Sequence, residues 1–155
     1  MGEELGGWDA YVAALVRIEP PGGALWLKPA PVFRAEGRYP DPAGRPIAVI
    51  TAHNPGGRRA SDRANAAAHA RLEAELRRRG LSWWPAAGGD VSWTHLEASV
   101  ALVGLSEPEA VALGAGYEQE AVFVFTRADR RIVSCTDGRV ETTGWTIEPV
   151  DSRVC

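Results

Sequence analysis

Cysteine is nearly missing from this chain of 155 residues: there are two, Cys135 in an apolar stretch and Cys155 at the last position. That is neither the disulfide framework of a small secreted domain nor a zinc-ligand set. Histidine is scarce as well, and His53, His69 and His95 have no metal-ligand spacing between them, so neither a metal nor a cofactor is expected. No apolar run approaches membrane-spanning length. Met1-Gly2-Glu3-Glu4 is acidic and lacks the basic region and apolar core of a signal peptide, which makes a cytoplasmic setting without membrane contact the default. Phosphate-loop and dinucleotide-binding glycine motifs are absent. Ser99 has no nucleophile elbow around it, and Cys135 has no local activating signature. An excess of positive charge is missing too: the net charge of −3 argues against general nucleic-acid binding. No internal repeat or low-complexity segment interrupts the chain.

What is present is an ordinary globular composition, 45% hydrophobic and 24% charged, in one expected domain over 1–155 that can bury a core without disulfides or metals. Six tryptophans are many for this size, and one beside a polar loop makes a ligand platform as readily as a core residue. Trp8, Tyr11, Val12, Leu15 and Val16 have the spacing of one helix face and predict a short helix over Trp8 to Ile18. Ala24 to Lys28 and Val32 to Arg34 read as peripheral extended segments, since Pro29 and Pro31 cannot donate ladder hydrogen bonds. Ile47 to Thr51 is an unbroken apolar run, which predicts a central strand covered on both faces.

The clearest helix lies between Ser61, a capping residue, and Arg79, with Ala64, Ala68, Leu72 and Leu76 as its buried stripe, Arg71 and Arg78 outside, and Gly80 as its stop. Leu81 to Pro85 reads as a short strand and Ala86 to Asp90 as a turn. Val91 to Leu105 holds a strand, best at Val100 to Leu105, and Ser106-Glu107-Pro108-Glu109 opens a second helix with a capping box. Ala121 to Phe125 is a buried strand, and Asp137-Gly138 joins Ile132–Thr136 to Arg139–Thr142 as a hairpin. Together these elements predict a single α/β (or α+β) domain with a mixed central sheet and packed helices.

The stretch Thr51-Ala52-His53-Asn54-Pro55-Gly56-Gly57-Arg58-Arg59, between a strand and a helix start, is where a ligand is expected. Backbone N–H groups at a helix N-terminus favour anions, and glycines allow close backbone approach. Residues 58–79 carry seven arginines against three acids, locally +4. Arg77 to Arg79 suit the C-terminal end of a helix, whereas Arg58 and Arg59 at its start call for an anionic partner, either an internal carboxylate or a ligand phosphate. Asn65 borders the buried stripe on the side of Ser61, His69 and Leu72, so its amide needs partners in the Asn54 loop or on a ligand. Glu97, between a tryptophan-rich segment and an apolar strand, is the best carboxylate for a general base, because burial raises such a pKa. Paired with Arg59 or His95, it would serve folding only.

Thr51-Ala52-His53-Asn54-Pro55, then Asn65 and Leu72, then Trp93 with Glu97 and Ser99, and finally Tyr117-Glu118-Gln119-Glu120-Ala121-Val122 carry a resemblance to an uncharacterised bacterial family, domain of unknown function 3293, over about Ile47 to Phe125. In that family's pattern the position of His53 is commonly aromatic and that of Glu118 glycine-like or variable. The resemblance therefore implies a common site but does not make His53 an essential catalyst, and it carries no activity with it.

Two functions follow as expectations. In the first, a cleft at the strand ends binds a small polar or anionic metabolite, nucleotide-like in kind, with hydrolase or transferase chemistry: Asn54, Gly56, Gly57, Arg58, Arg59 and Asn65 hold it, and Glu97 and Gln119 orient or activate the reacting group. In the second, the chain is a non-catalytic regulatory or protein-interaction module whose polar residues lock loops together around a protein partner.

Overall fold

The apolar run Ile47–Thr51 is a strand whose first four residues are all buried, so it is covered on both faces as its composition requires. The computed structural model describes residues 7–150. In chain order its elements are α1 (Trp8–Ala13), β1 (Leu15–Ile18), β2 (Leu25–Ala30), β3 (Ala35–Glu36), β4 (Ile47–Thr51), a 3-10 turn at Pro55–Gly57, α2 (Asp62–Arg78), β5 (Trp84–Gly89), β6 (Leu96–Val103), α3 (Glu107–Gly116), β7 (Ala121–Phe125), β8 (Arg130–Ser134) and β9 (Val140–Pro149).

The strands follow one another in the order β2-β1-β5-β6-β4-β7-β8-β9, and β9 pairs back onto β2. Every pairing around this ring is antiparallel, while β3 adds a short parallel rung to β9. The mixed sheet with packed helices expected from the sequence is therefore corrected to a closed antiparallel barrel of eight strands. β4, β6 and β7 looked like strands of an α/β sheet because they are apolar on both sides. Val16, Ile18, Leu27, Ile47, Phe125 and Ile147 fill the barrel interior, whereas Ile50, Val100, Leu102 and Val124 form a second core outside it with Leu72 and Leu76 of α2 and Leu113 of α3.

The staves that close the ring were the ones misread. The N-terminal helix stops at Ala13, and Leu15–Ile18 is already a strand. β2 is part of the wall in spite of Pro29. The N–H of Trp145, opposite it, is directed at Arg34 O (2.9 Å), so Pro29 and Trp145 form a non-hydrogen-bonded pair that loses nothing to the missing N–H. Ala86 to Gly89 are ladder residues, not a turn, and Val32 to Arg34 are a turn, not a strand. The stripe of α2 is as expected at Ala68, Leu72 and Leu76, which are buried, and differs only at its first member, where Asn65 is buried and Ala64 exposed. Arg71 and Arg78 do face solvent.

α1 is held against the barrel by polar contacts. Arg130, fully buried, donates to the carbonyls of Val12 and Ala14 and to Thr143 Oγ1. Tyr11 lies on Phe123 with ring centroids 6.0 Å apart, and Trp8 Nε1 donates to Glu141 Oε1 at 2.8 Å. No helix among the described residues is long and apolar enough to cross a membrane.

Candidate functional site

Thr51 ends β4 by turning its side chain onto the backbone, its hydroxyl donating to Ala98 O (2.8 Å) and accepting from His53 N (3.0 Å). The chain then bends sharply. Asn54 has φ +50°, in the left-handed region where asparagine is among the few non-glycine residues tolerated. Its side chain binds in three directions. Oδ1 accepts from Ala60 N (2.9 Å) and Asn65 Nδ2 (3.0 Å), and Nδ2 donates to Glu97 Oε2 (2.6 Å). Its backbone N–H donates to Asn65 Oδ1 (2.8 Å), so the two asparagines bind each other reciprocally. Ser61 caps α2 by accepting from Ala64 N, which fixes the helix that carries Asn65.

The rest of the loop is docked on the segment before β7. Gly56 N donates to Glu118 O (2.7 Å), and Gly57, at φ +72°, lies so close to Glu120 that a Cβ there would run into its Oε1. Gln119 reaches the same loop one residue before Asn54, its Nε2 donating to His53 O (2.9 Å) and Tyr117 O (3.2 Å). Of the residues singled out from the sequence, Asn54, Asn65 and Glu97 thus meet directly. Gly56 and Gly57 meet Glu118 and Glu120, and Gln119 ties down the His53 carbonyl. Arg58 and Arg59 lie on the exposed stretch before α2.

Burial raises the Glu97 carboxyl above the ordinary carboxylate range, against the lowering effect of the Asn54 hydrogen bond. Alternation along β6 puts Glu97 on the barrel side with Ala101, which lies in the interior core. Tyr11 lies within range of this charge: burial, then Glu97, then Glu120 push its hydroxyl well above the usual tyrosine value.

On the other face of the same strand Leu96 and Ala98 floor a hollow of about 450 Å3, walled by His53, Asp62, Asn65, His69 and Glu73. His69 Nε2 is 3.5 Å from Glu73 Oε2, and its Nδ1 is buried without a hydrogen-bond partner. The His53 ring stands edge-on to His69 at 6.1 Å, and burial followed by the His69 charge lowers its pKa. Among the described residues no group of three or more His, Cys, Asp or Glu is placed to hold a metal ion. The sequence reading missed His69 with Glu73 and also Tyr11. The first pair was findable: His69 is one helical turn from both Asn65 and Glu73 on the same face. Tyr11 lies on the part of the predicted N-terminal helix that is helical, and nothing local in the sequence marks its approach to Glu97.

Residues 50–122 match the family model described as Protein of unknown function (DUF3293), so this stretch is a domain of unknown function 3293. The match runs from the end of β4 to the start of β7 and includes Asn54, Asn65, Glu97 and Gln119 together with every residue of the hollow. Glu118 has φ +56°, a conformation that glycine adopts without strain. Neither a curated protein nor a solved structure matches the chain.

Proposed function

We propose that the chain binds a small polar or anionic ligand in the hollow between α2 and the outer face of β6, and that the Asn54–Asn65–Glu97 network holds one wall of that hollow in place. The observation that carries this reading is the reciprocal asparagine pair, joined to a partly buried carboxylate 43 residues beyond Asn54 and placed beside a hollow walled by His69, whose Nδ1 is buried without a hydrogen-bond partner. Buried polar atoms are normally satisfied, and each exception calls for an explanation. The second N–H of the Asn65 amide and the two imidazoles supply donors and acceptors for such a ligand. We assign any hydrolytic or transfer step to the groups that wall the hollow, His53 and the His69–Glu73 pair. Glu97 faces the barrel and serves as a positioning residue through Asn54.

The test is a thermal-shift screen against nucleotides and phosphorylated metabolites, in which a ligand at about one hundred times its dissociation constant stabilises by about 2.7 kcal/mol. A hit is expected to be lost in His69→Ala and to persist, weakened, in Glu97→Gln. The reading falls if nothing in the screen raises the melting temperature, or if every hit binds His69→Ala as tightly as the parent. The alternative of a protein-interaction module draws on a different feature, the exposed Val32 and Phe33 turn.

A further inference from the structure

Arg17 is a cation that the fold leaves unanswered. It stands on the outer face of β1, because its neighbours Val16 and Ile18 belong to the core inside the barrel. The residue is half-buried, and its Nε is buried without a hydrogen-bond partner. Among the described residues no carboxylate pairs with it, and its guanidinium meets the ring of Trp26, opposite it on β2, at 5.9 Å from the centroid. Glu148, which faces Trp26 from β9, is taken by Lys28. Buried polar atoms are normally satisfied, and a guanidinium is a planar fork of donors that fits a carboxylate or a phosphate.

Beside it a second tryptophan is held in a strained pose. Trp93, in the loop between β5 and β6, has φ +56°, a left-handed conformation that is an outlier for so bulky a residue. A tight turn around Asp90 holds it: Trp93 N donates to Asp90 O (2.9 Å), and the Asp90 carboxylate accepts from Thr94 N (2.9 Å), Thr94 Oγ1 (3.1 Å) and Ser92 Oγ (3.0 Å). The ring is thereby laid over Gly89, where a Cβ would strike it, and edge-on to Trp26 with centroids 4.6 Å apart. Ala87, paired with Arg17, and Gly89, paired with Leu15, keep the wall low between the arginine and the Trp93 ring.

We propose that Arg17, Trp26 and Trp93 form a binding site for a flat ring that bears a phosphate or a carboxylate, with the anion on the Arg17 fork and the ring against the tryptophans. The anion satisfies donors that no described residue uses, and an aromatic surface beside a cation suits a ring that carries negative charge. The site is separate from the hollow between α2 and β6, because Leu96 lies between them, packed toward Gly89 on one side and flooring the hollow on the other. It does not rest on the ligand proposed there. All three side chains are half-buried and none is enclosed, so binding is weak and a titration has to reach millimolar ligand.

Titration with adenosine monophosphate, adenosine and para-hydroxybenzoate tests this, followed by the indole N–H resonances of Trp26 and Trp93 and the Nε–H resonance of Arg17. At least one of the two anionic probes is expected to shift all three signals, and which one does so identifies phosphate or carboxylate as the group recognised. Adenosine, the same ring without the anion, is expected to bind about tenfold more weakly than its monophosphate or not at all. Arg17→Met should weaken the anionic probe by about tenfold while melting no lower than the parent, because it removes a buried donor that has no partner. Arg17→Lys keeps the charge without the fork and should weaken it by less, and Trp93→Ala, which removes the ring, by about fivefold. His69→Ala, in the hollow, should bind the probe like the parent, so a ligand that this variant loses belongs to the hollow and each reading can fail alone. The proposal is overturned if neither anionic probe shifts these signals, if adenosine binds as tightly as its monophosphate, or if Arg17→Met and Trp93→Ala bind like the parent. It is equally overturned if Arg17→Met melts well below the parent, the mark of an arginine that props the barrel wall.

Discussion

Replacing Asn54 by Asp tests the centre of the site with a change of one atom type. Asp keeps an acceptor for Ala60 N and Asn65 Nδ2, but a carboxylate oxygen then stands where Asn54 Nδ2 donates to Glu97 Oε2 at 2.6 Å. A hydrogen bond to a charged group, about 1.5–3 kcal/mol, is lost. If the two carboxylates part to about 4 Å, their repulsion is about 4 kcal/mol at an effective dielectric of about 20, and roughly half that where water screens the pair. The expected destabilisation near neutrality is therefore about 3.5–7 kcal/mol, a large part of the stability of a typical domain. Its pH dependence has a definite sign. Burial already raises the Glu97 carboxyl, and a second carboxylate raises it further, so the folded variant holds a proton that the unfolded chain has released. The loss is small below the ordinary carboxylate range and grows as pH rises through the raised value. Urea denaturation followed by tryptophan fluorescence at pH 5, 6, 7 and 8 measures it, with Asn54→Ala as the control whose deficit lacks this added slope. A deficit within about 0.5 kcal/mol, or one that does not change across that range, would show that Asn54 and Glu97 are not in contact.

Two more outcomes are expected. Leu72 is fully buried in the outer core, and Leu72→Ala removes roughly three carbon groups at about 0.8 kcal/mol each and leaves a cavity, for a total loss of about 3–5 kcal/mol in chemical denaturation; a change under about 0.5 kcal/mol would put the wrong face of α2 on the barrel. Arg130→Lys keeps a charge but cannot fork to the carbonyls of Val12 and Ala14 and to Thr143, so about 1–3 kcal/mol per orphaned group is lost and the amides of α1 exchange faster, whereas unchanged exchange there would exclude Arg130 as the tether.

Elements with a local cause were legible in the sequence. Ser61 and Gly80 bracket α2, the Ser106–Glu109 capping box opens α3, and unbroken apolar runs mark β4 and β7. The barrel was not legible, because closure depends on pairings such as Leu27↔Ile147 and Val16↔Gly88 that have no local signature. Pro29 and the Gly88–Gly89 pair argued against strands, and only the register shows why they are tolerated. At the site, Asn54 beside two glycines and Asn65 on the buried side of α2 pointed to the same loop, and Glu97 was drawn to it by its apolar surroundings. Which face of β6 Glu97 occupies was hidden, since Leu96-Glu97-Ala98 reads the same in either register.

The seam between β2 and β9 bears on how the chain reaches this state. Lys28 and Glu148, paired across it, are 120 residues apart. A ring sealed by staves so far apart in sequence cannot be completed while β9 is still in the ribosome exit tunnel, and the loop entropy of that join comes due before its contacts repay it. Synthesis therefore passes through a stage in which β4, β5, β6 and β7 with their helices have emerged but the interior face of the sheet is still open to water, and the nascent chain is most exposed to aggregation just before its final strand arrives.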